Sequence, residues 1–140
     1  MIAITEDNQN IEITRGDATQ KDYNILAFKF PIYNVETQQE EDYEFKPTDK
    51  ITFVCFDKKG YTKEEILRKN YLVSDLGYTQ PTPIVELPLT SEDTKKFPLL
   101  NKGKTYWFDL VLNDEVTILG MDSEGARTIK VFPESGEGVM

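Results

Sequence analysis

The sequence predicts a mainly β domain, a sandwich or barrel carrying one or two short helices, and three observations predict it. Short runs of β-branched and aromatic residues recur along the chain, broken by Gly, Pro, Asn and Asp. One of them, "KITFVCFD", is apolar on both faces, as a strand buried on two sides should be. Another, "KTYWFDLVLNDEVTILG", sets Tyr106, Phe108, Leu110 and Leu112 in alternation with Trp107, Asp109 and Val111 and then turns at Asn113-Asp114, the signature of a β-hairpin. About seven strands are legible in this way. The 140 residues fit one domain, 1–140, with a flexible tail from about 134. A chain of about 150 residues buries roughly 70% of the surface it exposes when unfolded. Eight Phe, seven Tyr and one Trp supply the bulk of such a core.

The elements follow in order. "IEIT" reads as the first strand, with Ile11 and Ile13 on one face. "ITRGDATQKDY" then raises a choice between a cell-adhesion tripeptide and a bend. Adhesion requires an exposed, mobile loop on a secreted protein, whereas a bend uses Gly16 for its backbone freedom and leads into the next strand. Arg15, Gly16 and Asp17 are therefore read as a structural turn. "YNILAFKFPIY" sets Asn24, Leu26, Phe28 and Phe30 against Tyr23, Ile25 and Ala27, largely apolar on both sides, which predicts a central strand. The acidic "NVETQQEEDYEFKPTD" predicts a long surface loop.

After "KITFVCFD", the stretch "YTKEEILRKN" predicts a short helix over Thr62 to Lys69. Thr62 and Glu65 form a capping box there, and Ile66-Leu67 supply the docking face. "NYLVSDLG" reads as a strand, or as an extension of that helix. "QPTPIVELPL" alternates Val85, Leu87 and Leu89 against Ile84, Glu86 and Pro88, and its prolines confine it to a sheet edge. "TSEDTKKF" predicts a helical turn over Ser91 to Lys96, capped by Thr90 or Ser91. In the hairpin, Tyr106, Phe108, Leu110 and Leu112 oppose Trp107, Asp109 and Val111. "ARTIKVFPE" is the last strand, with Ile129 and Val131 opposite Lys130 and Phe132, and "SGEGVM" frays.

Composition removes several function classes. The net charge of −9, from 25 acidic and 16 basic residues, repels nucleic acid and anionic membrane surfaces. The lysine pairs Lys58-Lys59 and Lys95-Lys96 sit beside acids and read as solvated surface. Cys55 is the single cysteine, which excludes an intramolecular disulfide and a cysteine zinc cage, and its apolar run reads as core. The opening "MIAITEDNQN" lacks the pattern of a signal peptide, and no stretch approaches a membrane span, so a soluble protein made in the cytoplasm is expected.

The chain has no histidine, which removes Ser-His-Asp and Cys-His catalysis and the usual neutral-pH proton shuttle. A glycosidase needs only two carboxylates across a cleft. Asp109, beside Trp107, and Glu86 are the candidates, and solvent-facing acids are the plainer reading of both. "EDNQNIE" offers Asp7, Asn8, Asn10 and Glu12 as oxygen ligands, without the glycine or the later bidentate Glu of a calcium loop. It reads as a polar arm, and "MDSEGAR" as a turn. The scattered glycines form no phosphate cradle. No catalytic residue, cofactor or metal is expected.

Three stretches, in order, carry a resemblance: Arg15-Gly16-Asp17, "LTSEDTKKF" with Thr90 through Lys95, and "GKTYWFDLVL" with Gly103 through Leu112. Together with "DKITFVCFDKKGYTKEEILRKNY" and "ARTIKVFPE", this order is similar to small tail- or baseplate-associated structural proteins of phages and prophages of Gram-positive bacteria. It resembles the N-terminal domain of their baseplate upper proteins. One departure lies in the polar run Ala18 to Asp22, where the family commonly has an apolar residue. The resemblance implies an immunoglobulin-like β-sandwich that joins other virion proteins, or copies of itself, and no nucleic acid, membrane or small-molecule substrate. It carries over no catalytic residue. Tyr106, Trp107 and Phe108 are the expected interface, and a carbohydrate-binding module using the same surface aromatics is the alternative.

Overall fold

The apolar runs at 50–56 and 104–112 form the centre of the molecule. The computed structural model describes residues 2–4, 10–20, 25–29, 31–57, 64–98, 102–119 and 127–133. Its strands are β1 (Ile2–Ile4), β2 (Asn10–Thr14), β3 (Ala27–Phe28), β4 (Pro31–Asn34), β5 (Gln39–Asp42), β6 (Lys50–Phe56), β7 (Glu65–Leu72), β8 (Val85–Glu86), β9 (Lys104–Leu112), β10 (Val116–Leu119) and β11 (Thr128–Phe132). A 3-10 turn, Val73–Leu76, follows β7, and the helix α1 is Ser91–Thr94. The fold is thus mainly β, with several sheets.

The large sheet runs β1-β2-β11-β9-β6-β7. Its pairs are antiparallel except β2 with β11, which is parallel. At nine residues β9 exceeds the usual five or six, and this length lets one edge serve two partners. Residues 104–107 pair with β11, 110–112 pair with β10, and the opposite edge holds β6. Asn113 and Asp114 both have positive φ (54° and 60°), and the Glu115 N–H donates to the Leu112 carbonyl. That is the type I′ turn expected of this pair.

The core lies between this sheet and a second layer from residues 26–28, 45, 85–89 and 97. Phe28 of that layer packs 6.1 Å from Phe53 and 6.0 Å from Phe108, which are themselves 5.6 Å apart between ring centroids. Val85, Leu87 and Leu89 are buried and Ile84, Glu86 and Pro88 exposed, as their alternation predicts. Because Pro88 has no N–H, the chain here is stitched from the side. The Thr19 hydroxyl donates to the Leu87 carbonyl (2.8 Å) and accepts from the Leu89 N–H (2.7 Å).

Four expectations are corrected. The helix placed over Thr62 to Lys69 is replaced from Glu65 onward by β7, while Thr62 itself lies outside the described residues. A lone helix of that length is marginal, whereas the edge of β6 offers a full ladder of hydrogen bonds to the same residues. Of "NYLVSDLG", only Asn70 to Leu72 is strand, and the remainder winds into the 3-10 turn. The run expected as a central strand is split among the described residues into β3, paired with β8, and Pro31 to Tyr33 of β4, paired with β5. The acidic stretch expected as a loop supplies the turn at 35–38 and β5, which pairs back on β4 to complete the β4–β5 ribbon. The tail from about 134 lies outside the described residues.

Phe53→Ala should cost about 3–5 kcal/mol, the usual loss for truncating a buried aromatic. The exposed Val116→Ala should stay within about 0.5 kcal/mol. Urea unfolding of the two variants compares them directly, and equal midpoints would contradict this core.

Candidate functional site

The Arg15-Gly16-Asp17 turn is fixed at both ends. β2 ends when the Asp17 N–H donates to the Thr14 carbonyl (3.1 Å), with Gly16 at φ 88° in the third position, as a type II turn requires. The Arg15 guanidinium then reaches across to the end of α1. Its Nε donates to the Phe97 carbonyl (2.8 Å) and a terminal nitrogen to the Lys95 carbonyl (3.0 Å). From the other side the buried Thr94 hydroxyl accepts the Gly16 N–H and donates to the Asp17 carbonyl, both at 2.9 Å. The tripeptide is a clamp between β2 and α1, not a mobile recognition loop.

α1 is short enough to need that support, and its other end is capped. Thr90 and Asp93 form a reciprocal capping box (3.0 and 2.8 Å), and Lys69 of β7 pairs with the Asp93 carboxylate at 3.1 Å. Burial alone would raise the Asp93 carboxyl, but the Thr90 N–H and Lys69 outweigh it and hold it below its ordinary value. Asp49 follows the same logic at the foot of the β4–β5 ribbon. Burial opposes its charge, and hydrogen bonds from the Lys46 N–H (2.9 Å), Asn113 Nδ2 (3.1 Å) and the Tyr43 hydroxyl (2.7 Å) prevail and lower it. Tyr43 is correspondingly pushed up to about 12, by burial first and by Asp49 second.

The aromatic triplet expected as an interface divides between two faces. Tyr106 and Phe108 are wholly buried in the core, so neither is available to a partner. Consecutive strand residues point to opposite sides, and only Trp107 reaches the outer face, partly exposed. There it neighbours a shallow depression of about 450 Å³ over β7, β6 and β9, floored by Val54, Phe56 and Val111 and flanked by Arg68, Asp109 and Asp114. Trp107 is not among its lining residues. Glu65, also at its rim, is engaged by Arg68 (2.7 Å), and Asp114 by Lys50 (2.9 Å). Two of the acids a sugar site would use, Glu65 and Asp114, are therefore already held in ion pairs.

The remaining candidates have structural settings. Cys55 is buried, and burial, with Asp109 nearby, pushes its thiol up, away from reactivity. Glu86 faces outward on β8. Of the calcium candidates, Asp7 and Asn8 lie outside the described residues, and the Asn10 side chain accepts from the Thr128 hydroxyl. Among the described residues no group of three His, Cys, Asp or Glu side chains is placed to hold a metal. The β4–β5 ribbon was not anticipated as a site. Its strands are exposed on both faces except at Asn34, and they present Ile32, Tyr33 and, at the turn, Val35 to solvent.

No protein-family model matches this chain, and no curated protein or solved structure matches it.

Arg15→Lys keeps the charge but loses the two-pronged geometry, and should destabilise the fold by about 1–3 kcal/mol, as should Arg15→Ala. Thermal or urea unfolding tests this, and wild-type stability in both variants would contradict the clamp. Asp49 and Asp93 sit below the ordinary carboxyl value of 3.8. Their contribution to stability is thus complete above that value and is lost as pH falls below it. Unfolding free energy followed from neutral to acid pH should decline there, with a shallower decline in Asp49→Asn. An unchanged decline in that variant would exclude Asp49 as a source.

Proposed function

We propose that this chain is a non-enzymatic structural component of a phage or prophage virion, in the tail or baseplate, acting by protein-protein assembly. It would be made in the bacterial cytoplasm, on an immunoglobulin-like sandwich, and would join other virion proteins or copies of itself. The observation that carries the reading is the meeting of the three stretches on which the family resemblance rests. Arg15-Gly16-Asp17 clamps the turn at 90–95, and Phe97, just beyond it, packs its ring 5.0 Å from Tyr106 near the start of β9. Segments 82 residues apart, as measured by the Arg15 to Phe97 bond, thus form one mechanical unit. A shared order of motifs is explained when the motifs depend on each other for folding. That dependence supports a common fold and, through it, the assembly role.

A carbohydrate-binding module is the second reading, favoured by the partly exposed Trp107 beside the outer-face depression. The two readings separate cleanly in solution. Calorimetric titration against each purified product of the genes flanking this one should give saturable binding to a tail or baseplate protein. Cell-wall polysaccharide should leave the fluorescence of Trp107, the sole tryptophan, unchanged. A saturable fluorescence shift with sugar, and no binding to any neighbour, would replace the first reading with the second.

A further inference from the structure

The β4–β5 ribbon is a projecting arm with no described strand on either outer edge. A two-stranded ribbon is at best marginally stable in water, yet this one is held in shape at both ends. At its tip the Asn34 carboxamide oxygen accepts from the N–H groups of Glu36 (2.9 Å) and Thr37 (3.3 Å). The Gln38 N–H donates to the Asn34 carbonyl (2.8 Å). At its foot Phe45 is fully buried, exchanges backbone hydrogen bonds with Thr82 (2.7 and 3.0 Å), and carries Tyr43 edge-on at 5.1 Å.

This preformed arm exposes what a free surface element usually hides. Tyr33 is 61% exposed, Val35 75% and Ile32 40%. By register Pro31 and Tyr33 share one face of the ribbon with Asp42 and Glu40, Ile32 shares the other with Glu41, and Val35 lies at the turn, so Tyr33 stands exposed directly beside an acid. The segment 31–44 holds Glu36, Glu40, Glu41, Asp42 and Glu44 and no basic residue. Acids alone would read as protection of a sheet edge against aggregation, but edge protection does not account for an exposed tyrosine and valine beside them. A second copy is a poor occupant, because it would set five acids against five more.

From this we infer that the β4–β5 ribbon is a docking arm for a protein with a basic surface, one presenting lysine or arginine around an apolar pocket that takes Tyr33. The inference rests on the assembly reading above and names the chemistry of the partner. Preorganisation of the arm lowers the ordering cost of binding, and its acids steer the encounter. Either outer edge, unpaired among the described strands, can also extend the partner's sheet.

The probe is a short synthetic peptide alternating lysine and valine, titrated into the isotopically labelled protein and followed by NMR. Shift changes confined to residues 31–44, fading as salt rises, are expected. Tyr33→Ala should weaken binding at least about tenfold, the loss typical of truncating an aromatic anchor. Exchange of Glu40, Glu41 and Asp42 for lysine should abolish it. Shifts scattered over other acidic surface, or indifferent to Tyr33→Ala, would overturn the arm. Localised, Tyr33-dependent binding without any flanking-gene product bound would keep the arm and remove the virion role. A flanking product bound equally well by the triple lysine variant would remove the arm and leave the virion role standing.

Discussion

The pairing of β6 with β9 is the constraint from which the rest of the fold follows. Six residues of each strand lie in register, from Ile51 opposite Leu112 to Phe56 opposite Trp107, and this places Phe53 and Phe108 where Phe28 can close over both. Every residue from Ile51 to Phe56 is buried, so β6 cannot sit at an edge. Its second edge therefore has to be filled, and β7 fills it. On the far side, the unusual length of β9 recruits β10 and β11 together, and β11 brings in β2 by the only parallel pairing in the described sheet. Loss of apolar area at this seam would expose backbone groups in all of these strands at once.

Around that seam the second layer is thin in regular structure and is held by specific side-chain bonds. Thr19 replaces the ladder bonds that proline prevents near β8, the Tyr71 hydroxyl donates to the Pro88 carbonyl (2.6 Å), and Arg15 and Thr94 join β2 to α1. Each of these spans many residues of sequence, so each closes a long loop whose entropy the core has already reduced. The tripeptide at 15–17 thus has a use for each of its parts. Arginine supplies the fork, glycine the left-handed torsion, and the Asp17 carbonyl the acceptor for Thr94.

Where burial alternates, the sequence was a good guide. The β9–β10 hairpin, the 85–89 alternation, the last strand and the capped turn at 91 all appear as their patterns imply. From Glu65 onward the expected helix gives way to β7, because "TKEEILRKN" offers a capping box and an apolar pair to a helix while its residues fit a strand equally well in isolation. The open edge of β6, invisible locally, decides between them. The ribbon was misread for the opposite reason: both its faces are exposed, so Gln39 to Asp42 carry no apolar alternation to reveal a strand. The expected interface at Tyr106, Trp107 and Phe108 conflicts with strand geometry, since three consecutive strand residues cannot share a face. The true division followed from the alternation already visible there.

Two sets among the carboxylates of this acidic chain have opposite physical roles. Asp49 and Asp93 are withdrawn from solvent and saturated with donors, so their charge is used internally to fix a loop and a helix cap. Glu36, Glu40, Glu41, Asp42 and Glu44 are exposed and lack basic neighbours in their own segment, so their field is directed outward. The two groups meet at Tyr43, whose hydroxyl is held by Asp49 while its chain continues the acidic strand β5. The same tyrosine packs edge-on against the buried Phe45, so the ribbon's foot is held jointly by this hydrogen bond, that ring contact and the backbone bonds between Phe45 and Thr82.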